Sequence, residues 1–183
     1  MTGNSTLQGS LLIILACFLW ASDTLVRYPL LGSLGSDAIV LGEHLIAIVV
    51  LFPFFFFQRK QLSVLSKKAW GALIFIGVMG SAVATYCLTM SYTILNPSVA
   101  ILLQKLQPVV TIVFARILLN ERPPKSFYPL SLVAFVGALL IASPELRSFS
   151  LVNPEQPAAT HLYGILLALI ATTSWGLCTV FGR

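Results

Sequence analysis

From residue 9 onward the chain is a series of apolar runs, each near 20 residues long, separated by short polar stretches. A run of about 20 apolar residues crosses about 30 Å of hydrocarbon as an α-helix. Backbone that spans a membrane must satisfy its own polar groups, as a helix or a closed barrel. Barrel strands alternate apolar and polar residues over about 10 positions, and these runs do not alternate. Composition agrees: 57% of the 183 residues are hydrophobic and 9% are charged, against about 25% charged in a soluble domain. The sequence predicts an all-α, polytopic helical membrane protein.

Six segments emerge, at 9–31, 38–57, 69–92, 97–119, 127–143 and 161–183. The first is read as a retained helix, because residues 1–10 hold no Lys or Arg and a signal peptide needs a basic n-region. Asn96-Pro97 is a good helix start, with an Asn cap and a Pro at the first helical position. Pro123-Pro124 separates the fourth and fifth segments, and Ser143-Pro144 is expected to end the fifth. Residues 144–160 read as the longest linker.

The net charge of +5 does not point to nucleic acid. The basic residues sit in short loops: Arg59, Lys60, Lys67 and Lys68 in one, Arg122 and Lys125 in another. The opposite loops are nearly bare. By the positive-inside rule the N-terminus is then cytoplasmic and odd-numbered helices run outward. The expected location is a cell membrane, of the bacterial inner-membrane kind. Cys17, Cys87 and Cys178 lie inside apolar runs without close spacing and read as packing residues.

A repeat is superimposed on this pattern. At an offset of 155, Gly9 pairs with Gly164, Leu11 and Leu12 with Leu166 and Leu167, Ala16 with Ala171, Trp20 with Trp175, and Thr24 with Thr179. Five helices separate the two copies, so helix 6 enters from the side opposite to helix 1. The chain therefore reads as one five-helix repeat (9–143), a linker (144–160), and the first helix of an inverted second repeat (161–183). Inverted repeats meeting around a midplane site are a transporter architecture.

Ionisable groups inside hydrocarbon cost about 2.5–3.5 kcal/mol on insertion scales, so each needs a reason. Helix 1 carries Asp23, Thr24 and Arg27, with the acid and base spaced i, i+4 and Trp20 on the same side. Either they neutralise each other, with Arg27 snorkelling to the interface, or they belong to a site. Glu43 on helix 2 is an interfacial carboxylate, a partner of Arg27 or Lys105, or a proton carrier; its neighbour His44 is expected to face an interface or a hydrogen-bond partner. Lys105 on helix 4 lies roughly 12 Å deep at 1.5 Å per residue, too deep to snorkel comfortably. Gln104, Pro108 and Thr111 share a face of the same helix, with Gln107 beside it. Pro108 frees a carbonyl one turn earlier, so this helix is expected to bend or loosen, which is tolerated where backbone lines a cavity. Thr85, Tyr86 and Thr89 either add polar wall or are packing residues. The candidate binding or coupling set is Trp20, Asp23, Thr24, Glu43, Tyr86, Gln104, Lys105, Gln107 and Pro108, around a cavity suited to a small zwitterionic or charged solute. Small-residue stripes on helix 3 (Gly77, Ser81, Ala84, Thr85) and helix 5 (Ala134, Ala138, Ala142) are expected to let helices approach closely. Arg116 is expected to snorkel or to pair with Glu121. No catalytic or metal-ligand pattern appears, and no cofactor is expected.

The stretch 96–143 resembles the EamA domain of the drug/metabolite transporter superfamily. It carries a polar-started helix with Pro108 in its middle, then Leu118-Leu119-Asn120-Glu121-Arg122-Pro123, then a helix with Gly137. The family commonly ends its fourth helix with a Leu-Leu-Gly-Glu-Arg-like turn, and Asn120 stands here in the Gly position. Trp20 and Trp175 also match the family's habit. The resemblance implies ten helices in two inverted repeats and movement of small metabolites, such as amino acids or related solutes, without ATP hydrolysis. The implied partners are a small-molecule solute, the lipid bilayer, and a second half or another copy of the chain. Two other classes stand beside this reading: a non-transporting scaffold, and a membrane-embedded enzyme acting on lipid-linked substrates.

Overall fold

The computed structural model describes residues 2–62, 64–148 and 157–183, without the side chains of 2–6, 61, 138, 139, 141–148 and 158. It is all-α among the described residues. The helices are α1 (Thr2–Leu30), α2 (Ser36–Leu62), α3 (Lys67–Ser91), α4 (Pro97–Leu119), α5 (Phe127–Ser148) and α6 (Ala158–Phe181). Among the described residues, α1 to α4 and α6 are long and apolar enough to cross a membrane, and the part of α5 over Phe127–Gly137 is apolar as well. The chain is a polytopic membrane protein.

Local chemistry sets several boundaries. The Asn96 side chain accepts from the Ser98 backbone N–H at 2.9 Å, and Pro97 opens α4. Ser66 caps α3 by accepting from the Ala69 backbone N–H at 3.2 Å. At the far end of α4, Asn120 adopts φ 54° and ψ 22°, the one non-glycine residue with positive φ among those described. Left-handed backbone is sterically open to Gly and, next, to Asn. This explains how Asn120 can stand in the Gly position of the resembled Leu-Leu-Gly-Glu-Arg-like turn. The expected stop at Ser143-Pro144 is not met: α5 continues to Ser148 with Pro144 inside it. A proline deletes only its own N–H bond and crowds one carbonyl, which helices in membranes accommodate. Residues 149–156, the middle of the expected linker, lie outside the described residues.

Two helices are interrupted. In α3, Ile76–Val83 is wound as a π-helix, which takes one extra residue into the turn. In α4, the segments Pro97–Gln104 and Gln107–Leu119 meet at a turn formed by Lys105 and Leu106. Pro108 has no N–H to give the carbonyl of Gln104, and the helix breaks there, as expected from its position.

The core is centred on α6. It packs along the second half of α3, the π segment and both halves of α4. Ala84, Cys87, Leu88, Ala100, Leu167, Ala168 and Ala171 form its buried cluster. Lipid is as apolar as Leu, so close contact rather than burial from water drives such packing, and small residues permit it. A Cβ on Gly176 would come within 2.8 Å of Val110, and one on Gly164 within 2.9 Å of Ile94 and Leu95. On α3 the close approach falls at Gly80, where a Cβ would lie 2.8 Å from the Cys178 sulfur, and not at Gly77, which faces open space. Of the α5 stripe, Ala134 is exposed, and the side chains of Ala138 and Ala142 lie outside the described set.

Candidate functional site

A cavity of about 1690 Å³ runs along the bundle between α1, α2, α3, α4 and α6, and Phe127 of α5 also lines it. Its charged end is organised by Arg27, which is 8% exposed. The guanidinium Nε donates to the Asp23 carboxylate at 2.9 Å, and a second nitrogen contacts the same oxygen at 2.8 Å. That nitrogen also reaches both oxygens of Glu43 at 2.9 Å, while the third donates to the Thr89 hydroxyl at 2.5 Å. Thr89 is buried and donates onward to the Thr85 carbonyl at 2.7 Å. Thr24 and the buried Tyr92 line the same cavity. Arg27 therefore does not snorkel. It ties α1, α2 and α3 together by charge-assisted bonds, the stronger kind, and leaves two carboxylates sharing one cation.

Two further polar bonds grip the π segment. The indole N–H of Trp175 donates to the Gly80 carbonyl at 2.7 Å. His44 Nδ1 lies 2.7 Å from the Val40 carbonyl and Nε2 lies 2.8 Å from the Ser81 hydroxyl. A carbonyl only accepts, so Nδ1 carries a proton, and in the neutral ring Nε2 accepts from Ser81. Trp20 meets Trp175 edge to face, with ring centroids 5.9 Å apart at 75°. The two tryptophans matched by the repeat thus touch across the cavity.

At the broken middle of α4, Gln104, Lys105, Gln107, Pro108 and Thr111 all line the cavity. The Thr111 hydroxyl is committed to the Gln107 carbonyl at 2.9 Å. Lys105 is exposed to the cavity and, among the described residues, makes no ion pair. Toward the opposite end, Glu121 accepts from Arg183, so of the two readings of Arg116, snorkelling or pairing with Glu121, the pairing is not met. Phe75 and Phe181 pack nearby each other, with centroids 4.6 Å apart.

Of the residues singled out from sequence, Trp20, Asp23, Thr24, Glu43, Gln104, Lys105, Gln107 and Pro108 border this one cavity. Tyr86 does not; it is 41% exposed on another face of α3. Thr85 and Tyr86 are neighbours about 100° apart on a helix, and it is Thr85 that turns inward. Sequence reasoning left out Arg27 and Trp175 as site residues. The i, i+4 spacing gave Arg27 its Asp23 partner and Glu43 was one of the partners weighed for it, but nothing in sequence announced Thr89. The repeat did mark Trp175. Among the described residues, no group of three or more His, Cys, Asp or Glu side chains gathers as a metal site.

Comparison with known proteins fits this architecture. The riboflavin transporter ImpX of Fusobacterium nucleatum is 29% identical over 185 residues, covering 98% of this chain and 60% of that protein. The pseudopaline exporter CntI of Pseudomonas aeruginosa is 29% identical over 139 residues, 75% of this chain and 47% of its own length. The inner membrane protein YtfF of Escherichia coli is 24% identical over 139 residues, 74% of this chain and 42% of its own. The chain thus spans 42–60% of the length of these relatives. No solved structure matches it significantly. The family model described as the EamA-like transporter family matches residues 7–143, so the chain belongs to that family.

Proposed function

We propose that this chain builds half or more of a secondary transporter that moves small metabolites, such as amino acids or related solutes, by alternating access without ATP hydrolysis. The observation that carries the reading is the cavity: six helices contribute to it, and it holds partly paired charges within membrane-spanning segments. Such groups mark solute and ion pathways. Two relatives are named for transport, one of riboflavin and one of pseudopaline, and this supports the class without selecting the solute. Asp23, Glu43 and Arg27 offer a coupling site at one end, Lys105 with Gln104 and Gln107 a binding wall in the middle.

The loop charges support a cytoplasmic N-terminus in a bacterial inner membrane. With that orientation α6 opens an inverted second repeat after the five-helix unit 9–143, completed by further chain or by a partner. The Trp20–Trp175 contact supports this, because equivalent residues of two related units meet where their symmetry axis passes.

The test is flux through the intact protein in liposomes or in cells. Lys105→Ala and Glu43→Gln should each lower transport of the cognate solute by an order of magnitude or more, roughly the worth of one charge-assisted hydrogen bond. Unchanged flux in both variants would remove the proposed pathway.

A further inference from the structure

Two cations line the cavity from within a membrane-spanning helix, Arg27 and Lys105. Their circumstances differ. Arg27 is buried and saturated by Asp23, Glu43 and Thr89. Lys105 projects from the turn that splits α4, is exposed to the cavity, and has neither an ion-pair nor a hydrogen-bond partner among the described residues. An ammonium at this depth, roughly 12 Å along the helix, requires a counter-charge. Its neighbours on the wall are the amides of Gln104 and Gln107, which donate without adding charge.

We infer that Lys105, with Gln104 and Gln107, is the anion subsite of the cavity and takes the carboxylate of an organic solute. Charge count selects the carboxylate. One ammonium neutralises one negative charge, whereas a phosphate monoester would keep a second charge unpaired. The guanidinium of Arg27, with the fork geometry that suits phosphate, is already taken by two carboxylates. The organic part has apolar surface to meet in the paired indoles of Trp20 and Trp175, which line the same cavity. The inference rests on the transport reading for why a solute enters; the subsite itself is a property of equilibrium binding.

The probes are benzoate, its uncharged isostere benzamide, and phenyl phosphate. Each is titrated into the intact purified protein in detergent at fixed pH and ionic strength, by calorimetry and by thermal unfolding. Benzoate should bind saturably and raise the unfolding temperature, with affinity roughly tenfold above benzamide, as one charge-assisted hydrogen bond implies. Lys105→Gln should abolish that preference, and Lys105→Arg, which keeps the charge, should retain it. Failure of benzoate to bind, equal binding of benzoate and benzamide, tighter binding of phenyl phosphate, or an unchanged preference in Lys105→Gln each overturns the assignment. So does a Lys105→Gln protein that merely loses stability while wild type shows no benzoate preference, which would make Lys105 the partner of a protein carboxylate. A protein that binds benzoate through Lys105 yet moves no solute would sink the transport reading and leave the subsite standing.

Discussion

Helices α1 and α6 are built on one sequence pattern and live in opposite surroundings. Ala171 is fully buried, and its counterpart Ala16 is exposed. Gly164 has Ile94 and Leu95 against it, while nothing lies within 4 Å of a Cβ placed on Gly9. Helix α6 sits in the groove between α3 and α4. Helix α1 leaves its large apolar residues exposed, Trp20 and Leu25 of them toward the cavity, and its one buried side chain among those described is the charged Arg27. The pattern of small and large residues thus makes a helix able to fill a groove; the neighbours decide whether it does. One helix is held by shape and the other by ion pairs.

The largest effect should come from the charge that holds α1. Arg27→Met strands two carboxylates, and breaking a buried pair costs about 3–5 kcal/mol. Because the Asp23 and Glu43 side chains remain 37% and 35% exposed, the expected loss is about 3 kcal/mol, read as a lower unfolding temperature. Adding Glu43→Gln should return part of it; no recovery would mean that Arg27 acts by packing. Next comes the shape that holds α6. Gly176→Leu must displace Val110 and approach the Thr111 backbone, at about 1–3 kcal/mol. Its repeat counterpart Ala21→Leu, on an exposed face, should stay within about 0.5 kcal/mol in a protein ending at Arg183. Equal losses would erase the distinction between the two helices. The smallest effect belongs to the tryptophans. Trp175→Phe leaves the Gly80 carbonyl without its indole donor, a loss of about 1–2 kcal/mol. Trp20→Phe keeps an aromatic edge and should cost about 0.5 kcal/mol. A reversed order would show that the ring contact outweighs the hydrogen bond.

What could be read in advance follows from the range of each interaction. The α4 limits, the Asn96 cap and the break before Pro108 are set by residues within one turn of each other, and sequence displays such neighbours directly. The Asn120 backbone was hinted at by the Gly position it takes in the resembled family's turn. The cavity wall on α4 was legible because Gln104, Lys105, Gln107 and Pro108 share a short segment whose polarity has no other use in a membrane. Longer-range partners were legible only as alternatives: Glu43 was offered Arg27 or Lys105, and the convergence of α1 and α2 selects Arg27. Thr89 on Arg27 was not legible, nor was Arg183 on Glu121, which meets it because α6 ends beside it. The π segment left no mark either, since Gly, Ser and Ala in 76–83 suit an α-helix interface equally well.

That π segment stores an angle. One surplus residue corresponds to about 100° of helical rotation and 1.5 Å of rise. Expelling it would turn Ala84–Ser91 relative to Lys67–Phe75 and swing the Thr89 hydroxyl off Arg27. The same stretch is gripped by Trp175 on one side and His44 on the other. A single ratchet step in α3 would therefore be felt by α1, α2 and α6 together, with no helix leaving its place in the membrane.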